Sequence, residues 1–224
     1  MKKKEYTFFL FGDSICFGQL VSSNFTWGTR LHEGLNSRSG RSLPVIIQNC
    51  SVNGNTTRQA LERMTYDITS HQPDFLMIQF GMNDCNYWET DQGLPRVSKR
   101  AFSANLEEMV NRAVATGTKL IFLNTNHPSL GGSFTHLSSM SHARSNTEYN
   151  EIIRTTHGEL IDGNLPVVLV DIETAWEKRL GAQSDSSLSD LLLPDGIHLS
   201  LQGHDLYTDI VIPIIQDSLK DYLQ

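Results

Sequence analysis

Five short apolar runs recur along the chain, at residues 7–11, 45–48, 75–80, 120–123 and 167–170, and stretches of helix length separate them. Each run is apolar on both faces, which is how the strands of a parallel sheet read when helices cover both sides. The clearest intervening pattern puts Phe102, Leu106, Met109, Val110, Ala113 and Val114 on one side of a helix, with Glu107, Glu108 and Arg112 outside it. Residues 56–70 and 145–161 carry weaker helical periodicity. A last helix is expected from Ser200, as N-cap, to Leu219, with Pro213 kinking it or breaking it in two. Strand–helix alternation repeated five times predicts an α/β fold. Its form is a three-layer α/β/α sandwich on an open, five-stranded parallel sheet with right-handed crossovers. No repeat or linker interrupts the 224 residues, so a single domain over 1–224 is expected.

Charge and cysteine usage narrow the function. A net charge of -7 argues against a nucleic-acid surface, which needs a basic excess. Lys2, Lys3 and Lys4 precede the apolar stretch Phe8 to Phe11, but that stretch is shorter than the core of a secretory signal and Asp13 follows it. No later stretch approaches the roughly 18 apolar residues of a membrane span. A cytoplasmic location is therefore expected. Cys16, Cys50 and Cys85 are an odd count without zinc-type spacing, so neither a disulfide framework nor a metal site is indicated.

Ligands of open α/β sheets bind beyond the carboxyl ends of the strands. Ser14 follows the first run, Gly54 the second and Asn83 the third, while Asp195 and His198 stand just before the final helix. A serine hydroxyl needs a base to take its proton, and the base needs a third group to fix its tautomer. Asp195-Gly196-Ile197-His198 holds both in one turn of chain. Gly12-Asp13-Ser14 alone reads equally well as a capped strand-to-helix turn. Asp13 and Asp84 are expected to accept loop N–H groups rather than to carry protons in catalysis.

Four segments stand in a telling order: Gly12-Asp13-Ser14, then Asn49 to Thr57 around Gly54, then Gly81-Met82-Asn83-Asp84, then Asp195-Gly196-Ile197-His198. Together they resemble the blocks of the SGNH (GDSL-type) hydrolases, over roughly residues 6 to 221. The resemblance implies a flavodoxin-like SGNH hydrolase fold and a serine esterase without metal or cofactor. It implies Ser14 as nucleophile, His198 as base and Asp195 as its orienter. The Ser14 N–H, the Gly54 N–H and the Asn83 amide are implied as the oxyanion hole. Fixed donors of that kind contribute about 2.7–4 kcal/mol each to lowering an acyl-transfer barrier.

The expected partner is a small-molecule ester, with acetyl-like acyl groups and carbohydrate esters favoured because no long apolar wall is evident. Thioesterase, lysophospholipase-like or acyltransferase activity would use the same residues. A non-catalytic ligand-binding module is the alternative from another class. No Walker-type or Gly-x-Gly-x-x-Gly phosphate loop and no Gly-x-Ser-x-Gly elbow occurs. Two long loops, 85–98 and 126–143, are expected to reach the substrate, with Tyr87, Trp88 and His127 as contacts. The second loop, with Gly131, Gly132, Phe134, His136 and Met140, is expected to act as a lid. Each cysteine flanks one of the four blocks. Small buried side chains suit such strand ends; the competing expectation is of pocket-lining thiols that make activity sensitive to oxidation.

Overall fold

In the computed structural model the described residues are 5–37, 44–130, 139–182 and 187–223. The strands are β1 (Tyr6–Gly12), β2 (Val45–Asn49), β3 (Phe75–Gln79), β4 (Leu120–Asn124) and β5 (Val167–Val170). They form one parallel sheet in the order β2-β1-β3-β4-β5. All five match the apolar runs to within one residue at each end. The helices are α1 (Ser14–Phe17), α2 (Trp27–Asn36), α3 (Thr57–Asp67), α4 (Lys99–Ala115), α5 (His142–Asp162), α6 (Ile172–Ala182), α7 (Leu188–Leu191) and α8 (Leu201–Ser218).

Alternation along the strands divides the core into two layers. Phe8 and Leu10 of β1 and Phe75 and Met77 of β3 pack with Trp27 and Leu31 of α2, Trp176 of α6, and Tyr207 and Val211 of α8. Phe9 and Phe11 of β1 and Leu76 and Ile78 of β3 turn the other way, onto Met64 of α3, Phe102 and Leu106 of α4, and Tyr149 of α5. A strand covered on both faces buries every side chain, so each residue of β3 is buried. Full burial of one Phe or Leu contributes about 1.5–3 kcal/mol.

Two differences from the sequence reading have physical causes. Helix α2 was not expected, although Trp27, Leu31 and Leu35 recur at helical spacing on its buried face; Gly28 and Gly34, which lower helix propensity by about 1 kcal/mol each, weaken the signal. Those glycines serve close packing: a Cβ at Gly28 would stand 3.1 Å from Leu10 Cδ1, and one at Gly34 only 2.7 Å from Ile212 Cδ1. Helix α8 starts where expected, with the Ser200 hydroxyl accepting from the Gly203 N–H, but it runs through Pro213 without being broken in two. Proline removes the donor for the carbonyl of Asp209. Both residues are exposed, so the lost hydrogen bond lies on the solvent side of the helix and not in the core.

Candidate active site

β1 ends at Gly12, where a Cβ would lie 2.5 Å from Cys16 Cβ and 2.8 Å from the Gln79 carbonyl oxygen. Only glycine lets the strand turn there directly into α1. Asp13 caps that helix, its Oδ1 accepting from the Ile15 N–H at 3.0 Å. Ser14 is thereby placed at the first helical position, where its own N–H has no intrahelical partner. Among the described residues that N–H donates to nothing.

The other half of the site comes from 184 residues further along. Between α7 and α8 the chain folds back on itself, with Leu192 bridging Leu199 and the Leu193 N–H donating to the His198 carbonyl at 2.7 Å. At the turn, Gly196 takes a positive φ of 69°. Its carbonyl accepts from the Leu130 N–H at 2.7 Å, tying the turn to the chain after β4. Asp195 Oδ1 accepts from the Ile197 and His198 N–H groups, both at 2.9 Å. Its Oδ2 lies 2.7 Å from His198 Nδ1, and His198 Nε2 lies 2.9 Å from Ser14 Oγ. A carboxylate can only accept, so Nδ1 carries the proton and the Nε2 lone pair faces the serine hydroxyl. Burial alone would raise Asp195. The hydrogen bonds from the His198 ring and from the His198 and Ile197 N–H groups outweigh it and hold this carboxyl below its ordinary range.

Gly54 and Asn83 stand at the ends of β2 and β3, on the same edge. Gly54 has φ +77°, and no protein atom lies within 4 Å of the place a Cβ would take. Its conformation, not crowding by the protein, calls for glycine. The Gly54 N–H also donates to no described residue. Asn83 Nδ2 donates to Asp13 Oδ2 at 3.4 Å, and Arg96 Nη1 donates to Asn83 Oδ1 at 3.4 Å and to the Gly54 carbonyl at 3.3 Å.

Arg96 and Arg63 join the loops, and the sequence reading gave neither a role. The Arg63 Nε donates to Asn55 Oδ1 at 2.7 Å, and Nη1 donates to the Cys50 carbonyl at 2.6 Å and to Asp67 Oδ2 at 2.7 Å. Its Nη2 reaches the Gly12 carbonyl at 3.4 Å, so one guanidinium ties the loop of Gly54 to the end of β1. No motif announces such a residue.

Asp13 and Asp84 lie behind these loops. Burial pushes Asp13 up to about 7, with the Ile15 N–H pulling it down and neighbouring Asp84 adding to the rise. Burial likewise pushes Asp84 up to about 6, against hydrogen bonds from the Thr57 hydroxyl and N–H at 2.5 and 2.9 Å. A carboxyl whose folded-state pKa exceeds its unfolded value binds more protons when folded. Its stabilising contribution is complete below about pH 4 and lost as pH rises through about 7. Asp13→Asn is therefore expected to gain stability relative to the natural protein between pH 5 and 8, by about 1 kcal/mol or more in urea unfolding. A pH-independent difference would count against this linkage.

The residues expected at the substrate sit differently. Trp88 is half exposed, with the Arg96 guanidinium 3.9 Å from its ring centroid, and Tyr87 is partly buried beside it. His127 is fully buried and stacked on Trp176 at 5.2 Å, its Nδ1 2.8 Å from the Pro128 carbonyl oxygen. Burial lowers His127 to about 4 and keeps the ring uncharged near His198. The start of the expected lid is pinned: the Asn126 N–H donates to Asn150 Oδ1 at 2.7 Å, and Asn146 Nδ2 to the His127 carbonyl at 2.9 Å. Its end is pinned as well, since His142 begins α5 with Nδ1 2.7 Å from Ser129 Oγ. Gly131, Gly132, Phe134 and His136 lie outside the described residues.

Cys16 and Cys85 are fully buried and Cys50 partly so. Burial raises all three thiols, Cys50 to about 11. A thiol held protonated is a poor target for oxidation. Mild peroxide is expected to leave ester turnover unchanged within about twofold, as a time course of treated protein would reveal.

A model of the GDSL-like lipase/acylhydrolase family matches residues 10–206. The chain belongs to that family, and it is a carboxylic ester hydrolase of the SGNH class. It is 29% identical over 175 residues to the Bacillus subtilis protein described as uncharacterized lipoprotein YqeF, covering 70% of this chain and 68% of that one. It is 26% identical over 108 residues to thioesterase 1/protease 1/lysophospholipase L1 of Escherichia coli, 46% of this chain and 49% of that protein. In structure it is similar to Axe2, an acetylxylan esterase from Geobacillus stearothermophilus, with a TM-score of 0.72 at 20% identity. That superposition covers 98% of this chain and 96% of the other, and it demonstrates a shared fold. Among the described residues no helix is long and apolar enough to cross a membrane.

Proposed function

We propose that the chain cleaves small acyl esters through an acyl-enzyme on Ser14. The observation that carries this reading is the continuous chain of hydrogen-bonding atoms from Ser14 Oγ through the His198 ring to Asp195 Oδ2. Ser14 Oγ attacks the ester carbonyl carbon while His198 Nε2 takes its proton. Negative charge gathers on the former carbonyl oxygen, which the Ser14 N–H, the Gly54 N–H and an Asn83 Nδ2 proton receive. His198 then gives its proton to the departing alcohol, and water repeats the sequence to free the acid. Both backbone donors lack a protein acceptor among the described residues, as groups reserved for an oxyanion should. Asp195, held below its ordinary range, stays ionised and stabilises the imidazolium that forms.

Among the described residues the site is ringed by Asn83, Arg96 and the Gly54 loop, which suits a short acyl group. The test is fluorophosphonate labelling mapped by mass spectrometry, with a panel of acetyl, butyryl and octanoyl esters and an acetyl thioester. Labelling at Ser14 and fastest turnover of the acetyl ester are expected. Labelling elsewhere would remove the nucleophile, and faster octanoyl cleavage would remove the preference for short acyl groups. The thioester arm covers the reading that the Escherichia coli relative's description raises for the same residues. A cytoplasmic location, expected from the short apolar run near the N-terminus, stands beside a relative described as a lipoprotein, and cell fractionation decides it.

A further inference from the structure

Helix α5 opens with a stripe that burial alone would make apolar. His142, Ser145, Asn146, Tyr149 and Asn150 recur at helical spacing on one face, and all five are buried. Each holds main chain of a loop beyond the sheet. His142 Nε2 lies 3.2 Å from the Met82 carbonyl oxygen, and the Ser145 hydroxyl donates to the Cys85 carbonyl at 2.9 Å. Tyr149 donates its hydroxyl proton to the Val97 carbonyl. Asn146 Nδ2 donates to the His127 carbonyl and Asn150 Nδ2 to the Asn126 carbonyl, both at 2.9 Å. Buried polar side chains are costly unless their hydrogen bonds are made, and these bonds all go to loops that carry or adjoin the site. Past Asn150 the face turns apolar, with Ile153 and Leu160 in the core.

His142 heads the stripe and reaches both halves of the site. A carbonyl oxygen only accepts, so Nε2 carries the ring proton. Burial lowers His142 and keeps the ring neutral, which leaves the Nδ1 lone pair to accept from the Ser129 hydroxyl at 2.7 Å. The Met82 carbonyl and the Asn83 N–H belong to one planar peptide, so a grip on that oxygen fixes the plane from which the Asn83 side chain departs. Ser145 grips the Cys85 carbonyl on the far side of Asn83. Next to Ser129, the Leu130 N–H donates at 2.7 Å to the Gly196 carbonyl, inside the turn between Asp195 and His198. One ring thus joins the block that carries Asn83 to the turn that carries the base.

We propose that His142 is a positioning residue of the esterase site, setting the Asn83 amide against the turn that carries His198. The proposal rests on the esterase reading given above. Its test is a double-mutant cycle on phenyl acetate. His142→Leu, which takes away both ring contacts, is expected to lower kcat about 30-fold with KM unchanged within about twofold. In Asn83→Ala the same substitution is expected to cost less than about threefold, because the group it acts through is gone. Equal losses in the two backgrounds would overturn the proposal. His142→Gln keeps an N–H for the Met82 carbonyl and is expected to restore kcat to within about fivefold of the natural protein. A loss in the glutamine variant as large as that in the leucine variant would overturn it too. Should His142→Leu fail to fold, Ser129→Ala carries the same cycle, with about a fivefold loss expected in the natural background and none in Asn83→Ala.

A second readout does not require turnover. Heteronuclear NMR of the side-chain amides is expected to show the Asn83 resonances displaced in His142→Leu, or in Ser129→Ala, and close to their natural positions in His142→Gln. Asn83 resonances that stay in place when the ring contacts are removed would overturn the proposal. If the natural protein does not cleave phenyl acetate, the esterase reading fails, while the amide resonances still test whether His142 sets Asn83.

Discussion

Replacing Ser14 by alanine is expected to lower kcat/KM on phenyl acetate by about 10,000-fold or more while leaving the folded protein intact. The hydroxyl makes one side-chain contact, to His198 Nε2 at 2.9 Å, and otherwise fills little space at the head of α1. Its removal costs the fold almost nothing, so thermal unfolding should stay within a few degrees of the natural protein. On the acyl-enzyme reading proposed above, catalysis loses the atom that would form the covalent bond. What survives is the background that oxyanion donors and bound geometry provide without a nucleophile. Fluorophosphonate labelling should vanish with the activity. A variant that keeps a tenth of its turnover would show that the reacting oxygen lies elsewhere.

Asn83→Ala is expected to lower kcat by about 100- to 1000-fold with little change in KM. The amide would act on charge that exists only in the transition state, and an interaction made only there appears in kcat. Its orientation is held from two sides, by Arg96 on Oδ1 and by Asp13 on Nδ2. The natural amide thus has one N–H left to point at the substrate. The same substitution strips a donor from Asp13, so stability should be measured beside the kinetics. Asn83→Asp keeps the shape, replaces the donor with acceptors, and should impair kcat as severely. A loss in kcat of less than about tenfold on Ala would remove Asn83 from the oxyanion hole.

Much of the sheet was legible in the chain, because a strand buried on both faces has to be apolar at nearly every position. The five runs therefore mark the five strands directly. Helices α4 and α5 were legible for the same kind of reason: their buried stripes recur at helical spacing. Helix α2 has such a stripe in Trp27, Leu31 and Leu35, but its two glycines, which serve contacts with Leu10 and Ile212, weaken the helical signal. The continuity of α8 across Pro213 depended on which way the donor-less carbonyl faces, and that is a property of packing.

The site divides along the same line. Gly12-Asp13-Ser14 and Asp195-x-x-His198 could be named in advance because a turn, a cap and an Asp–His hydrogen bond are short-range matters that a few adjacent residues determine. Sequence order and strand ends also sufficed to put Ser14, Gly54, Asn83 and His198 on one edge of a parallel sheet. The 2.9 Å between Ser14 Oγ and His198 Nε2 was decided by tertiary structure alone. So were the grip of Arg63 and Arg96 on the loops and the burial of His127, which local sequence had suggested as a substrate contact. The physical reason is common to all three. Hydrogen bonds and desolvation across the fold depend on which distant residue arrives opposite, and a one-dimensional pattern holds periodicity and caps but not what is brought to meet them.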